Sequence, residues 1–320
     1  MLITRKVIWI FSLWMMVSGA STVWSQNYPT RPIRIVTFGI GGDTDFAARL
    51  VAQGIAVPLG EPVIVENRGN GVIPGEIVFN APADGYTVLI AGGNFWLLPL
   101  FQKAPYDVVK DFSPVTYIGK SPLILAVHPS VPAKSVKELI ALAKARPNAL
   151  NYASGNTGAS SQVAAELLEY MGDIKMQGIP YSSGSMKIIS LMSGQVDLMF
   201  DSVGVLMPNA KIGKIRALAI TSAQPSMLAP GFPTMAASGL PGYEVVGSTG
   251  MFVRSNTPAT IVRQLNQETV RLLKSPETRE RLASDGAEVV GNSPEEFATS
   301  INSEQMTIAK IIKATGIHAE

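Results

Sequence analysis

Residues 151–167, NYASGNTGASSQVAAEL, place the strongest local constraint on the fold, because they predict a strand, a glycine loop and a helix in direct succession. A short apolar run ends at Ala153 and the loop SGNTG follows. Val163, Leu167 and Leu168 then recur at the spacing of a helix. A strand that leads through a loop into a helix is the repeating unit of α/β proteins.

A segment near the start of the chain has the same design. Residues 33–38 predict a strand, residues 39–45 a glycine-rich loop, and a helix follows from about Phe46 to Gly60. Such loops can turn several backbone N–H groups the same way, and a helix N-terminus adds about half a positive charge. Together they predict a seat for a carboxylate or a phosphate. The alternative for residues 151–167 is an ordinary turn in which Ser160 caps the helix.

The first 25 residues have the pattern of a secretory signal. Arg5 and Lys6 precede an apolar run over residues 7–17, and small residues follow. This run is shorter than the roughly 20 residues that span a bilayer, which disfavours an uncleaved anchor. We expect cleavage after Ser25, with Ala20 as the second choice, and release of a soluble protein into the periplasm.

Composition excludes several classes of protein. A chain of 320 residues is long enough for about two domains. Removing Arg5 and Lys6 from its 26 basic residues leaves 24, which equals the 24 acidic residues, so charge does not favour a nucleic-acid partner. The absence of cysteine excludes disulfides and thiolate metal sites, and the two histidines lack a metal-ligand spacing. We therefore predict no cofactor and no metal.

The remaining pattern predicts an α/β fold in two units, each with a mainly parallel sheet. Apolar runs within residues 115–127 predict the first crossing between the units, and residues 243–253 predict the return. Ser135 and Glu138 form a capping box for a helix over residues 136–146. Further strands are predicted at residues 62–66, 87–91, 196–200 and 216–221 and ending near Ile179, with a helix closed by Gly194 and loops at residues 67–75 and 224–242.

Three helices are predicted near the end of the chain. Their start signals are Thr257 before a proline, Ser275 before a proline, and the capping box that begins at Ser293. Since they follow the return crossing, we expect them to pack on the first unit.

Catalytic motifs match poorly. The loop after Ala153 lacks the Gly-x-Ser-x-Gly pattern of a serine hydrolase, and neither glycine loop has the lysine of a P-loop. The first loop also lacks the full spacing of a dinucleotide-binding loop. Asp43 and Asp45 are the remaining candidates for acid–base chemistry, although carboxylates beside a helix start more often act as capping groups.

Several short motifs resemble the Bug family of extracytoplasmic solute receptors, the substrate-binding components of tripartite tricarboxylate transport systems. They occur in the family's order over essentially the whole mature chain. They are GG-x-TD at residues 41–45, VENR at 65–68, DGYT at 84–87, PYD at 105–107, KDF at 110–112, NYAS at 151–154, GQVDLMFD at 194–201 and RALA at 216–219.

The resemblance implies a monomeric, non-enzymatic periplasmic receptor with a type II-like two-lobe fold. Such a receptor traps a small carboxylate, or a related aromatic or amide ligand, between its lobes and closes about two hinge strands before a membrane permease recognises it. Lobe 1 is expected to comprise residues 26–122 and 248–320, and lobe 2 residues 123–247. The predicted ligand-binding residues are Phe38, Gly41, Gly42, Thr44, Asp45 and Asn94 in lobe 1, and Ser154, Asn156, Gly158, Ser160, Tyr181 and Asp201 in lobe 2.

The chain departs from the family pattern at positions that bear on the ligand. Asp43 stands where a small neutral residue is usual, and Gln162 replaces a usual histidine. These changes predict a more apolar or less highly charged ligand. Phe95 and Trp96 are candidates for an aromatic wall of the cleft, with burial in the core as the alternative. The competing function is an exported hydrolase of a small ester or amide that uses Asp43 or Asp45.

Overall fold

The computed structural model describes residues 28–40, 42–69, 71–101, 103–155, 158–181 and 184–315. The predicted signal peptide and its cleavage site therefore lie outside the described residues. Within these ranges, no helix is both long enough and apolar enough to cross a membrane.

Strands and helices alternate through the first half of the chain, as the sequence predicts. The elements are β1 (Ile33–Thr37), α1 (Asp43–Leu59), β2 (Val63–Asn67), α2 (Ile73–Phe79), β3 (Thr87–Gly92), α3 (Gly93–Leu97), α4 (Val108–Asp111) and β4 (Phe112–Val127).

The second half continues the alternation and ends in helices. Its elements are α5 (Val136–Ala145), β5 (Asn151–Ser154), α6 (Ser160–Gly172), β6 (Gln177–Pro180), α7 (Gly184–Met192), β7 (Leu198–Ser202), α8 (Val203–Lys211), β8 (Arg216–Ile220), β9 (Val246–Arg254), α9 (Ala259–Leu273), α10 (Pro276–Ser284), β10 (Glu288–Val289) and α11 (Pro294–Thr315).

One long strand joins two sheet regions. β2, β1 and β3 are parallel, and β9 runs antiparallel between β3 and β4. β4 pairs with β9 as far as Pro122, and from Leu123 onward it pairs with β7 and β8, while β5 and β6 extend the second region in parallel. The mixed α/β class is confirmed. The predicted lobe boundaries fall within β4 and within its partner β9, and the boundaries themselves stay a prediction.

One predicted loop contains a helix. The sequence predicts a glycine loop over residues 67–75, but α2 begins at Ile73 and includes Gly75. A Cβ on Gly75 would lie 2.4 Å from Tyr106 Oη, so this glycine permits close packing against an aromatic ring rather than ending an element. Sequence pattern does not distinguish these two uses of glycine.

Helix starts follow the predicted side-chain caps at Ser275, Ser293 and Ser135. Ser275 Oγ accepts from the Thr278 N–H at 3.2 Å. Ser293 Oγ accepts from the Glu296 N–H at 3.2 Å, and Glu296 Oε2 accepts from the Ser293 N–H at 2.9 Å, which is a complete capping box. Ser135 Oγ accepts from the Glu138 N–H, whereas the Glu138 carboxylate accepts from the Lys134 N–H instead.

Phe95 and Trp96 belong to the core. Their side chains are 2% and 0% exposed, so the alternative of burial holds and the aromatic wall of the cleft does not form from them. Trp96 contacts Phe297 edge to face at 5.7 Å between ring centroids, and Phe297 also packs in a tilted arrangement against Phe252 of β9. This aromatic cluster fixes α11 to the sheet; α11 also contacts α6, so it reaches both halves of the fold.

Gly250 tests this packing. A Cβ there would lie 2.2 Å from Phe297 Cζ, so we expect Gly250→Ala to lower the free energy of unfolding by about 1–3 kcal/mol through overpacking. Denaturant unfolding measures the loss, and Gly250→Ala/Phe297→Leu should recover part of it. Equal loss in the single and double variants would contradict the proposed contact.

Candidate ligand-binding site

A cavity of about 1070 Å³ lies where the two halves face each other. One wall contains Asp43 and Thr44 from the start of α1. The facing wall contains Ser160 from the start of α6 and Gly184 from the start of α7. The β9 residues Val246 to Thr249, in the strand paired with β4, contribute the part of the lining that joins the walls.

The starts of three helices place partial positive charge at the cavity wall. N-terminal backbone N–H groups lack partners inside their own helix, and each N-terminus carries about half a positive charge. α1, α6 and α7 all begin at the cavity wall. The arrangement therefore favours a negatively charged group in the cavity.

The structure brings half of the predicted site residues onto the cavity wall. Those residues are Phe38, Thr44, Asn94, Gly158, Ser160 and Tyr181. Gly42, Asp45, Ser154 and Asp201 are described but are not among the lining residues. Gly41 and Asn156 lie outside the described residues. Direct contact of any of these with a ligand stays a prediction.

Asp45 belongs to a polar network behind the wall. Its Oδ1 accepts from Asn67 Nδ2 at 2.8 Å and pairs with Arg49 Nε at 3.0 Å. Asp45 as a whole is only 4% exposed. Asn67 Nδ2 also donates to the Phe38 carbonyl at 2.8 Å. The network ties the end of β1 and the start of α1 to β2. Asp45 thus positions the wall residues rather than facing the cavity.

Two backbone N–H groups of the second glycine loop already donate to side chains of the protein. The Gly155 N–H donates to Ser161 Oγ at 3.0 Å, and the Gly158 N–H donates to Gln162 Oε1 at 2.9 Å. Gln162 in turn donates to Glu166 at 2.8 Å. These two N–H groups are therefore occupied by side chains from the first turn of α6. The N-cap of α6 is Ala159 rather than Ser160.

The two loop glycines have different roles. Gly158 has φ +79°, and a Cβ there would lie 3.3 Å from Phe101 Cδ2. Gly42 has φ −98°, and a Cβ there would have no neighbour within 4 Å. Only Gly158 of this pair uses a backbone conformation that requires glycine.

We expect Gly158→Ala to destabilise the fold by about 1–2 kcal/mol, because the residue takes a left-handed conformation and contacts Phe101. Gly213→Ala is the matched control, since Gly213 has φ +76° in open space. Gly42→Ala should be nearly neutral. Chemical denaturation of the three variants should give losses in the order Gly158, Gly213, Gly42; equal losses at Gly158 and Gly42 would contradict the assignment.

Charged groups occupy the facing walls. Lys187 Nζ lies 2.6 Å from Asp201 Oδ2, and Lys187, which lines the cavity, is 9% exposed. Asp43 is open to the cavity but surrounded by protein. Desolvation by the surrounding protein, followed by the nearby Asp201 carboxylate, raises the pKa of Asp43, while the Lys187 ammonium partly offsets the effect.

A further carboxylate, Asp285, lies near Asp43. Burial, followed by repulsion from Asp43, raises the pKa of Asp285 from 3.8 to about 6. The folded state therefore holds this proton more tightly than the unfolded chain, and the stability that depends on it is lost as pH rises from about 4 to about 6.

Asp285→Asn should raise the free energy of unfolding above pH 6 by about 1 kcal/mol, a value reduced for partial solvent exposure. Below pH 4 the variant and the parent should agree. Asp173→Asn, at an exposed side chain, controls for the loss of one charge. Denaturant unfolding at pH 4 and pH 8 makes the comparison, and a pH-independent difference would rule out the titration of Asp285.

Another part of the wall contains a half-buried carboxylate whose oxygens accept hydrogen bonds from the protein. Glu304 of α11 accepts from Trp96 Nε1 at 2.8 Å and from the Tyr117 hydroxyl at 2.7 Å. Burial raises the pKa of Glu304, and these donors partly oppose the rise. Lys120 lies over the Tyr117 ring at 5.4 Å and also lines the cavity.

Sequence reasoning missed Lys187, Lys120, Glu244 and Glu304 as lining residues. One signal was available for Lys187, because Asp201 interrupts the apolar run of a buried strand and a buried carboxylate requires a cation or a donor. The others come from elements distant in sequence, and pattern alone does not show which faces meet.

This architecture defines a two-lobe binding protein with a charged cleft, and comparison with known proteins identifies its family. The chain belongs to the tripartite tricarboxylate transporter family of receptors, which it matches over residues 47–317. Protein BugT of Bordetella pertussis (strain Tohama I) is 32% identical over 303 residues, covering 93% of each chain.

Two solved structures have the same fold. The structure described as R. palustris Rpa4515 with adipate has a TM-score of 0.82 and 31% identity, covering 91% of this chain and 99% of the other. The periplasmic binding protein BugD has a TM-score of 0.80 and 31% identity, again covering 91% and 99%. The predicted resemblance, the two-lobe fold and the receptor class are thereby confirmed, and the hydrolase alternative finds no support.

Proposed function

We propose that this protein is a periplasmic solute receptor that captures a small carboxylate in the cavity between its halves and delivers it to a membrane permease. The observation that carries the proposal is the cavity itself, whose lining includes residues from the starts of α1, α6 and α7. The similar protein described with bound adipate supports a carboxylate as the ligand.

Capture proceeds by closure of the two halves about β4 and β9. β4 belongs to both sheet regions and β9 is paired with it, so a small change in the twist of these two strands moves α1 and α6 relative to each other. A ligand that touches both walls binds the closed form more tightly than the open form, and this difference in affinity drives closure. The closed form of a monomer is then the species that the permease recognises.

Ligand binding without turnover is the first expected result. Mass spectrometry of molecules retained by the purified mature protein should identify a carboxylate, and calorimetric titration with four- to six-carbon carboxylates should give one site per chain. Small-angle scattering should show a smaller radius of gyration with ligand. The absence of any retained or titratable carboxylate would contradict the proposal.

Export is tested separately on the full chain. Intact-mass analysis of periplasmic protein should show an N-terminus at Gln26 or a nearby residue, because the predicted signal has been removed. Recovery of a full-length, membrane-embedded product would contradict the assigned location.

A further inference from the structure

Charges on the two cavity walls differ in sign. On the α1 wall, Asp43 occupies the first turn of the helix and so offsets the positive end of its own dipole. On the facing wall, the starts of α6 and α7 carry Ser160 and Gly184, with no acidic residue in the first turn of either helix. An anionic group is therefore favoured on the α6 and α7 side and disfavoured beside Asp43.

The ionisable groups around Asp43 give the same result. Repulsion from the Asp201 carboxylate raises the pKa of Asp43, and repulsion from Asp43 raises the pKa of Asp285. Attraction to the Lys187 ammonium opposes the rise at Asp43. Lys187 is already paired with Asp201 at 2.6 Å. The group thus contains three carboxylates and one ammonium, so a dianionic ligand adds to an existing excess of negative charge.

From this asymmetry we propose that the ligand carries a protonated amine as well as a carboxylate, with the amine beside Asp43 and the carboxylate between Lys187 and the start of α6. This inference rests on the proposed receptor function and narrows its ligand class. Neither Asp43 nor Lys187 belongs to the set of binding residues that the family resemblance implies.

Each end of such a ligand meets a suitable partner. A protonated amine donates to the Asp43 carboxylate and offsets its negative charge. The carboxylate accepts from Lys187, whose Nζ is held at the cavity by Asp201, and from the N-terminal region of α6, where Ser160 lines the cavity. Because the partners belong to different halves, a ligand with both groups contacts both walls of the cavity.

Matched ligands and variants test the proposal by calorimetry. The probes are succinate, glutarate and adipate, each compared with its 2-amino derivative and with the amino acid in which an ω-amine replaces one carboxylate. The best aminated probe should bind at least about tenfold more tightly than its parent dicarboxylate. In Asp43→Asn this preference should fall by about tenfold or more, as expected for the loss of one charged hydrogen bond.

Two further variants separate the roles. Asp173→Asn, which removes an exposed carboxylate outside the cavity lining, should leave the preference unchanged. Lys187→Met/Asp201→Asn removes both members of the buried pair and avoids an unpaired charge. It should weaken aminated and parent probes alike, because both carry the carboxylate.

The outcomes distinguish a failure of this inference from a failure of the proposed receptor function on which it rests. Parent dicarboxylates that bind as tightly as the aminated probes, or a preference that survives Asp43→Asn, would overturn the inference and leave the carboxylate receptor intact. Full affinity in the folded double variant would also overturn it. Failure of every probe to bind would count against both proposals.

Discussion

The hydrogen-bond pairing of β4 determines how the two sheet regions and the cavity between them are arranged. Its first part hydrogen-bonds to β9, and its last residues, from Leu123, hydrogen-bond to β7 and β8. A single strand therefore belongs to both sheet regions, and the space between them is closed on one side by β9. Because parallel strands on each side lead through loops into helices, the helix starts meet across this space.

Local hydrogen bonds then decide which groups face the ligand. Asn67 and Asp45 bind each other behind the first wall, and Gln162 accepts from Gly158 N–H in the second loop. The described parts of the glycine loops are therefore held by hydrogen bonds within the protein. What remains at the cavity is a set of helix starts together with charged lining residues, which include Asp43 and Lys187. In our proposal the charges of these two side chains set the choice among carboxylates.

The sequence predicted the fold well where signals are local. The capping box at Ser293 and the end of α1 at Gly60 depend on neighbouring residues, and both occur in the structure. The prediction of a loop at Gly75 is wrong because this glycine allows close packing against Tyr106, which is distant in sequence. The site was predicted less completely for the same reason: Lys187 and Asp43 meet only after two separate halves are assembled.

Hydrogen–deuterium exchange tests the central claim most directly, because it reports on both walls at once. With a saturating concentration of the tightest-binding carboxylate, protection should increase at the starts of α1 and α6 together, and along the part of β9 that lines the cavity. Exchange at the backbone amides of α10, a helix with no residue in the cavity lining, should not change. Protection confined to one half, or equal throughout the chain, would contradict binding between the two walls.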